Sequence, residues 1–261
     1  MLLKWSKLHN QSKTYKGTVI MKVKTTLVGL ACSMLLACGG SGGGNSASVP
    51  DEDANGIWSG LTSISGFTSE TISLLNDGAL IAINLDFDEF YKGTYSIDGD
   101  RISASIRGYE LNGPFGGTGT LSGIVTSKGA LKATVESSSG GTSDVDLVYE
   151  TQVYERSISL ADLAGSWAGS IPGLTFAITI DASGRLVASG SDGCIVSGDL
   201  RIPKADRNMI AGNISVSGSA CTVSGNYDGL GLLTDNATTN DVLVFGYAND
   251  NYGFAYAATR N

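Results

Sequence analysis

The residues able to do chemistry in this chain of 261 are few and unevenly placed. Its one histidine, His9, lies in a lysine-rich N-terminal stretch. The four cysteines are Cys32, Cys38, Cys194 and Cys221, and no two of them form a CxxC pair. Asp86, Asp88 and Glu89 crowd together, and hard oxygen ligands of that kind take calcium. No EF-type loop surrounds them, and Phe87 and Phe90 bracket them, so they read as a solvated strand end with no metal. Tyr252, Phe254 and Tyr256 share one parity near the C-terminus. Aromatic stripes stack on sugars or lipids, but they also close cores, and a core strand is the expectation. Gly117-Thr118-Gly119 is followed by no helical pattern, so it is a strand with glycines and not a dinucleotide loop.

Cys38 has the most specific surroundings. Lys22 and Lys24 follow Met21, an apolar run covers Leu27 to Leu36, and Leu35-Leu36-Ala37-Cys38 ends it. This resembles the lipobox of bacterial lipoproteins, with a charged n-region, a short h-region and a small residue before the cysteine. The run is too short to span a bilayer, which takes about 20 apolar residues. The resemblance implies cleavage before Cys38, with residues 1–37 as a leader whose true start is Met21. It also implies acylation of Cys38 and a lipid anchor in a membrane. Gly39 follows the cysteine, where an inner-membrane retention signal would carry Asp, so the outer membrane is expected, in either leaflet. Residues 38–54, rich in Gly and Ser, form a flexible tether with a reach of roughly 22 Å.

Removing the leader changes the charge. Six of the 17 Lys and Arg precede Cys38 and none of the 25 Asp and Glu does, leaving 11 against 25, or −14, in the mature chain. That sign disfavours nucleic acid and anionic lipid surfaces as partners. His9 leaves with the leader, and with it go a Ser-His-Asp triad, a His-ligated zinc and a His general base. No carboxylate pair is framed by a catalytic motif, and no cofactor is implied. Cys194 and Cys221 remain as the expected disulfide of an oxidising compartment. A flat sheet with one strand between them would hold their Cα atoms about 10 Å apart, so a strand end must pinch inward.

Beyond the tether the chain repeats. Gly56-Ile57-Trp58-Ser59-Gly60 opens residues 55–157, and Gly165-Ser166-Trp167-Ala168-Gly169 opens residues 158–261. Period-two alternation marks strands in both halves: Ala79, Ile81, Ile83 and Leu85; Val145, Leu147 and Tyr149; Phe176, Ile178 and Ile180; Ile210, Gly212, Ile214 and Val216. Turn chemistry separates them at Asn76-Asp77-Gly78, Asp98-Gly99-Asp100 and Lys128-Gly129. The expected fold is all-β: two tandem antiparallel up-and-down meanders of about eight strands, each a small barrel or, alternatively, a β-sandwich.

Ser159-Leu160-Ala161-Asp162-Leu163 is a single helical turn before Trp167. Such a turn with Gly-Xaa-Trp on the first strand resembles the opening of the calycins, the lipocalin and avidin-like barrels. The resemblance implies that the Trp packs above the barrel floor and a basic residue of the last strand covers it. Arg156, 98 residues after Trp58, and Arg260, 93 after Trp167, are the expected lids. Three functions compete. The first is a non-catalytic interaction or structural module of the envelope with a protein partner. The second is a binding protein holding a small apolar or amphiphilic ligand, as calycins do. The third is an enzyme, which the missing histidine disfavours. A carrier needs a cavity of roughly 300 Å³ or more, whereas a module needs a filled core.

Overall fold

A computed structural model of the chain describes residues 51–261 apart from Leu85 and Pro172. Cys38, the leader and most of the tether therefore lie outside the described residues. The first half contains β1 (Gly56–Ile64), β2 (Phe67–Asn76), β3 (Ala79–Asn84), β4 (Glu89–Asp98), β5 (Arg101–Glu110), β6 (Gly113–Val125), β7 (Ala130–Ser137) and β8 (Thr142–Tyr149). Two short helices, α1 (Thr151–Tyr154) and α2 (Leu160–Leu163), lead into the second half. That half contains β9 (Gly165–Ile171), β10 (Leu174–Ile180), β11 (Arg185–Gly190), β12 (Ile195–Arg201), β13 (Ile210–Ser217), β14 (Gly225–Thr234), β15 (Val242–Ala248) and β16 (Tyr252–Arg260).

Within each half every strand pairs antiparallel with the next, and each meander closes on itself. In the first ring β1 pairs with β8 from Trp58↔Tyr149 to Ile64↔Ser143. In the second the seam between β16 and β9 is narrow, only Thr259↔Ala168 and Arg260↔Trp167. Closure rules out the sandwich and removes exposed sheet edges. Local sequence makes this topology possible. Asp77 (φ 47°) and Gly78 (φ 84°) take the left-handed conformation that a tight two-residue hairpin requires. Ser159 opens α2, its backbone N–H and hydroxyl both donating to the Asp162 carboxylate at 2.8 and 2.7 Å.

The rings also share a wall. Ile72, Leu74, Ile81, Ile83 and Phe90 point out of the first ring and meet Leu230, Leu232, Val242, Val244 and Ala255 pointing out of the second. The parity Ala79, Ile81, Ile83 thus faces the other ring, while Leu80 and Ala82 face the first ring's own interior. Strands covered on both faces read as unbroken apolar runs, as in Leu80–Ile83 and Leu230–Leu233. A short β16–β6 pairing, Tyr252↔Pro114 and Gly253↔Gly113, joins the rings near one end. Helix α1 is fixed to the second ring by the fully buried Asn208. The Asn208 amide donates to the carbonyls of Val153 (3.0 Å) and Leu233 (2.6 Å) and accepts from the Leu233 N–H (2.9 Å).

Both rings stand the same way up. At the end where β1 and β9 begin, here the floor, Lys204 of the second ring lies 3.9 Å from Asp77 of the first. At the opposite end Lys92 meets Asp228 at 2.5 Å. The two mouths therefore open on one side of the molecule and the floors close the other.

Candidate functional site

The floors are built from equivalent parts. The buried Trp58 indole donates to the Ala54 carbonyl (3.0 Å), and the buried Trp167 indole to that of Leu163 (2.9 Å), each four residues upstream. In the second ring the Arg260 guanidinium carbon lies 4.3 Å from the Trp167 ring centroid. Its Nη1 donates to Ala164 O at 2.8 Å and its Nη2 to Asp162 O, carbonyls of the turn that plugs the floor.

The first ring departs from the expected pattern. Arg156 does not cover Trp58. It follows α1 and turns to the second ring, donating to Asp235 (2.7 Å) and to the Leu233 carbonyl (2.6 Å). The physical reason is position: β8 already ends at Tyr149, so Arg156 lies in the linker and not on a strand. Tyr149 takes the place beside Trp58, edge-on at 5.3 Å between centroids. An extended strap, rather than a helix, crosses this floor. Its Glu52 N–H donates to Gly99 O and its Glu52 carboxylate accepts from the Ser127 N–H (2.7 Å).

The interiors differ. The first ring is packed with Leu75, Leu80, Ile102, Leu121, Leu131 and Leu147, leaving a cavity of only about 50 Å³. Polar side chains near its mouth pair with one another: Thr62 with Thr71 at 2.7 Å, and the Ser69 hydroxyl with Asn84. The second ring holds a cavity of about 210 Å³ on its mouth side. Ile178, Leu186, Ala188, Val196 and Ile214 line it together with Phe176, Phe245, Tyr247, Phe254 and Tyr256. The rings interlock: Phe176 and Tyr256 at 5.1 Å, Phe245 and Tyr256 at 5.9 Å, Phe254 and Tyr256 stacked at 5.3 Å. Burial pushes the hydroxyls of Tyr247 and Tyr256 well above the ordinary tyrosine range, so they stay neutral. Tyr252 is raised first by burial and then by the negative charges of Asp192 and Glu110.

Two devices hold the mouth. The Cys194–Cys221 disulfide, with Cα atoms 4.7 Å apart, ties the start of β12 to the loop between β13 and β14. Cys221 precedes β14 by four residues and does not begin a strand. The loop folds back across β13, which is how the expected 10 Å gap closes. Gly218 allows the fold-back: it has φ 138°, and a Cβ there would sit 2.4 Å from Gly193 O. The second device comes from the other ring. Asn112, at the β5–β6 turn, lines the cavity, accepts from the Ala255 N–H (3.0 Å) through its side chain, and accepts from the Tyr252 hydroxyl through its carbonyl.

Of the aromatic stripe expected to be core, Tyr252, Phe254 and Tyr256 all line the cavity while packing against the core cluster. The alternation Phe245-Gly246-Tyr247 carried the same signal on the neighbouring strand. Asn112 and Asp192 gave none, because only the closed fold brings them there. Asp86 stands at a strand end and accepts from the Glu70 N–H at 3.1 Å. Among the described residues no group of three or more His, Cys, Asp or Glu side chains is arranged to hold a metal.

A groove of about 900 Å³ runs between the rings on the outside. Lys92, Thr94, Ser105, Arg107 and Thr120 line one side of it, and Asp228 and Asp250 the other. No family model, no curated protein and no solved structure matches the chain. The fold is thus that of a closed eight-stranded antiparallel barrel, of the kind the calycin resemblance implies, with a second ring of eight strands bonded to it.

Proposed function

We propose that this chain is a lipid-anchored envelope protein, non-catalytic, whose second ring receives a small apolar or amphiphilic ligand while the first serves as its scaffold. The observation that carries this reading is the inequality of the two interiors, about 210 Å³ against about 50 Å³. A duplicated barrel kept only for packing has no reason to keep one copy open at the mouth and lined with aromatic rings. At about 210 Å³ the cavity falls short of the roughly 300 Å³ expected of a carrier, so it takes only a ligand smaller than those of typical pockets. The first ring is filled as a module's core would be. Asp51 lies at the floor side, where its carboxylate accepts from the Gly99 N–H (2.8 Å). A tether leading from there to an acylated Cys38 would join the floor side and leave both mouths unobstructed, the lipid chains binding the membrane through ~0.8 kcal/mol per buried methylene. The outer membrane follows from Gly39, with the leaflet left open.

One observation favours the interaction-module reading, namely the groove between the rings, where Lys92 and Arg107 stand opposite Asp228 and Asp250. Native mass spectrometry of protein purified from its own host separates the two. A small molecule that co-purifies, and is lost when Ala188→Leu fills the cavity, supports the ligand reading. A co-purifying protein with an empty cavity rejects it in favour of the module. Cys38→Ser should release the chain from the membrane fraction as uncleaved or soluble protein. If this variant still fractionates with membranes at the mature mass, the anchor is not Cys38.

A further inference from the structure

The second ring's cavity has a definite electrostatic character. None of the residues lining it is Lys or Arg, and its one ionisable carboxylate is Asp192, at the mouth. The two basic groups of the inter-ring groove are already engaged. Lys92 is paired with Asp228 at 2.5 Å, and Arg107 lies 4.2 Å from the centre of the Phe115 ring while donating to the Asp250 carbonyl at 2.7 Å. An anionic ligand, a carboxylate or phosphate, would find no counter-charge inside. The walls, by contrast, present the faces and edges of several aromatic rings within one connected cluster, Phe176–Tyr256–Phe245–Tyr247. Aromatic faces carry negative quadrupole charge and attract a quaternary ammonium group, which has no N–H to strip of water, when it is seated among them.

We infer that this cavity is a cage for a small organic cation, an ammonium group bearing an apolar or aromatic body, with Asp192 as the counter-charge at its mouth. The inference rests on the reading of the second ring as a binding cup. Asp192 is well placed for the role because one of its oxygens is fixed, accepting from the Cys194 N–H at 3.0 Å beside the disulfide. Its charge acts on the hydroxyls of both Tyr252 and Tyr256, so its field already reaches into the cavity. No covalent step is involved; the ligand is held, and released, intact.

The test compares two molecules of the same shape, phenyltrimethylammonium and uncharged tert-butylbenzene. Each is titrated by NMR into the full acylated chain, against a protein-free detergent blank. The expected result is that the cation binds about tenfold or more tightly than its neutral twin. Asp192→Asn, which keeps an acceptor for the Cys194 N–H, should cut cation affinity about three- to fivefold, as an exposed counter-charge does, and leave the neutral twin unchanged. Ala188→Leu should abolish both. Equal binding of the two molecules, or tighter binding of the neutral one, overturns the cation cage and leaves the binding cup standing. Failure of both to bind overturns the cup itself. Cation binding that survives Ala188→Leu belongs to the acidic surface, and a preference unchanged by Asp192→Asn removes the counter-charge; either result overturns the inference.

Discussion

Arg260 lies on Trp167, 4.3 Å from guanidinium carbon to ring centroid, and its two terminal nitrogens hold the carbonyls of Ala164 and Asp162. One side chain thus joins the last strand, the first strand and the turn that plugs the floor. A lysine supplies the charge but not the planar fork. Arg260→Lys should therefore cost about 1 kcal/mol in urea unfolding, and Arg260→Ala about 1–2 kcal/mol. Because the β16–β9 seam has only two residue pairs, hydrogen exchange should quicken at Ala168 and Thr259 first. An unchanged midpoint for Arg260→Lys would mean the fork contributes nothing beyond its charge.

Phe90 of the first ring fills a notch in the wall of the second. A Cβ on Gly246 would come 2.6 Å from its ring and one on Gly253 2.7 Å, distances that real side chains do not tolerate. Phe90→Ala should destabilise by about 3–5 kcal/mol. Gly246→Ala, whose tightest contact is the Phe90 ring, should cost about 1–3 kcal/mol through overpacking. The two substitutions touch one contact, so the double variant should lose clearly less than the sum. Simple additivity in a denaturant double-mutant cycle would show that Phe90 does not occupy the notch.

The disulfide closes a loop with a sequence separation of 27 residues. A loop of that size restricts the unfolded chain by about 3–4 kcal/mol. Reduction should lower the urea midpoint by a corresponding amount. It should also loosen the cavity mouth before the floor, since Cys194 and Cys221 stand at the mouth end of the second ring. Exchange protection at Ile195 and Val196 should fall while that of Trp167 holds. Equal loss at both ends would argue against a local mouth clamp.

Alkali should unfold the chain through buried tyrosines. Burial, with the Asp53 charge adding to it, pushes Tyr95 and Tyr154 up to about 12 from an unfolded value of 10. The folded state therefore holds these protons longer than the unfolded chain. Their contribution to stability is complete below pH 10 and is lost as pH rises through about 12. The Tyr154 hydroxyl is also buried without a hydrogen-bond partner. Tyr154→Phe should thus be neutral or stabilising, by up to about 1 kcal/mol, and should flatten the stability profile between pH 10 and 12. A variant less stable than the parent at pH 7 would mean the hydroxyl has a partner after all.

The alternation of Val145, Leu147 and Tyr149 and of Ile210, Gly212, Ile214 and Val216 announced half-buried antiparallel strands, and the Gly-Xaa-Trp openings announced two similar halves. Those signals are local, set by side-chain period and turn chemistry, and a single sequence displays them. Which of the two arginines would cover a tryptophan was not legible, because it depends on where the last strand stops: β16 runs as far as Arg260, whereas β8 ends at Tyr149. The shared wall was not read from the sequence. Ala79, Ile81 and Ile83 read as the one apolar face of an alternating strand, but Leu80 and Ala82 between them are apolar too, and the strand is covered on both faces. The hollow in the second ring was the least legible of all. Volume is what remains after every wall residue is placed, and Phe176, Tyr247 and Asn112 come from three separate strands and turns.

The wall between the rings has an architectural consequence. The first ring offers mainly its first four strands to that wall, and the second offers its last four, so the two contact faces are not equivalent. Between separate copies, such a head-to-tail contact propagates into an open filament. Here it stops at two. The outward face of β6–β8, away from the wall, carries Ser122, Lys132, Asp144 and Asp146 around the exposed Ile124 and Val148, and that of β10–β12 carries Thr175, Thr179, Ser197 and Asp199 around the exposed Val187 and Ile195. The rings are thus the two end caps of a solenoid that has no middle repeat. A handful of polar-to-aliphatic substitutions along β6–β8, joining Ile124 to Val148, would remove one cap and convert a discrete particle into the seed of a fibre.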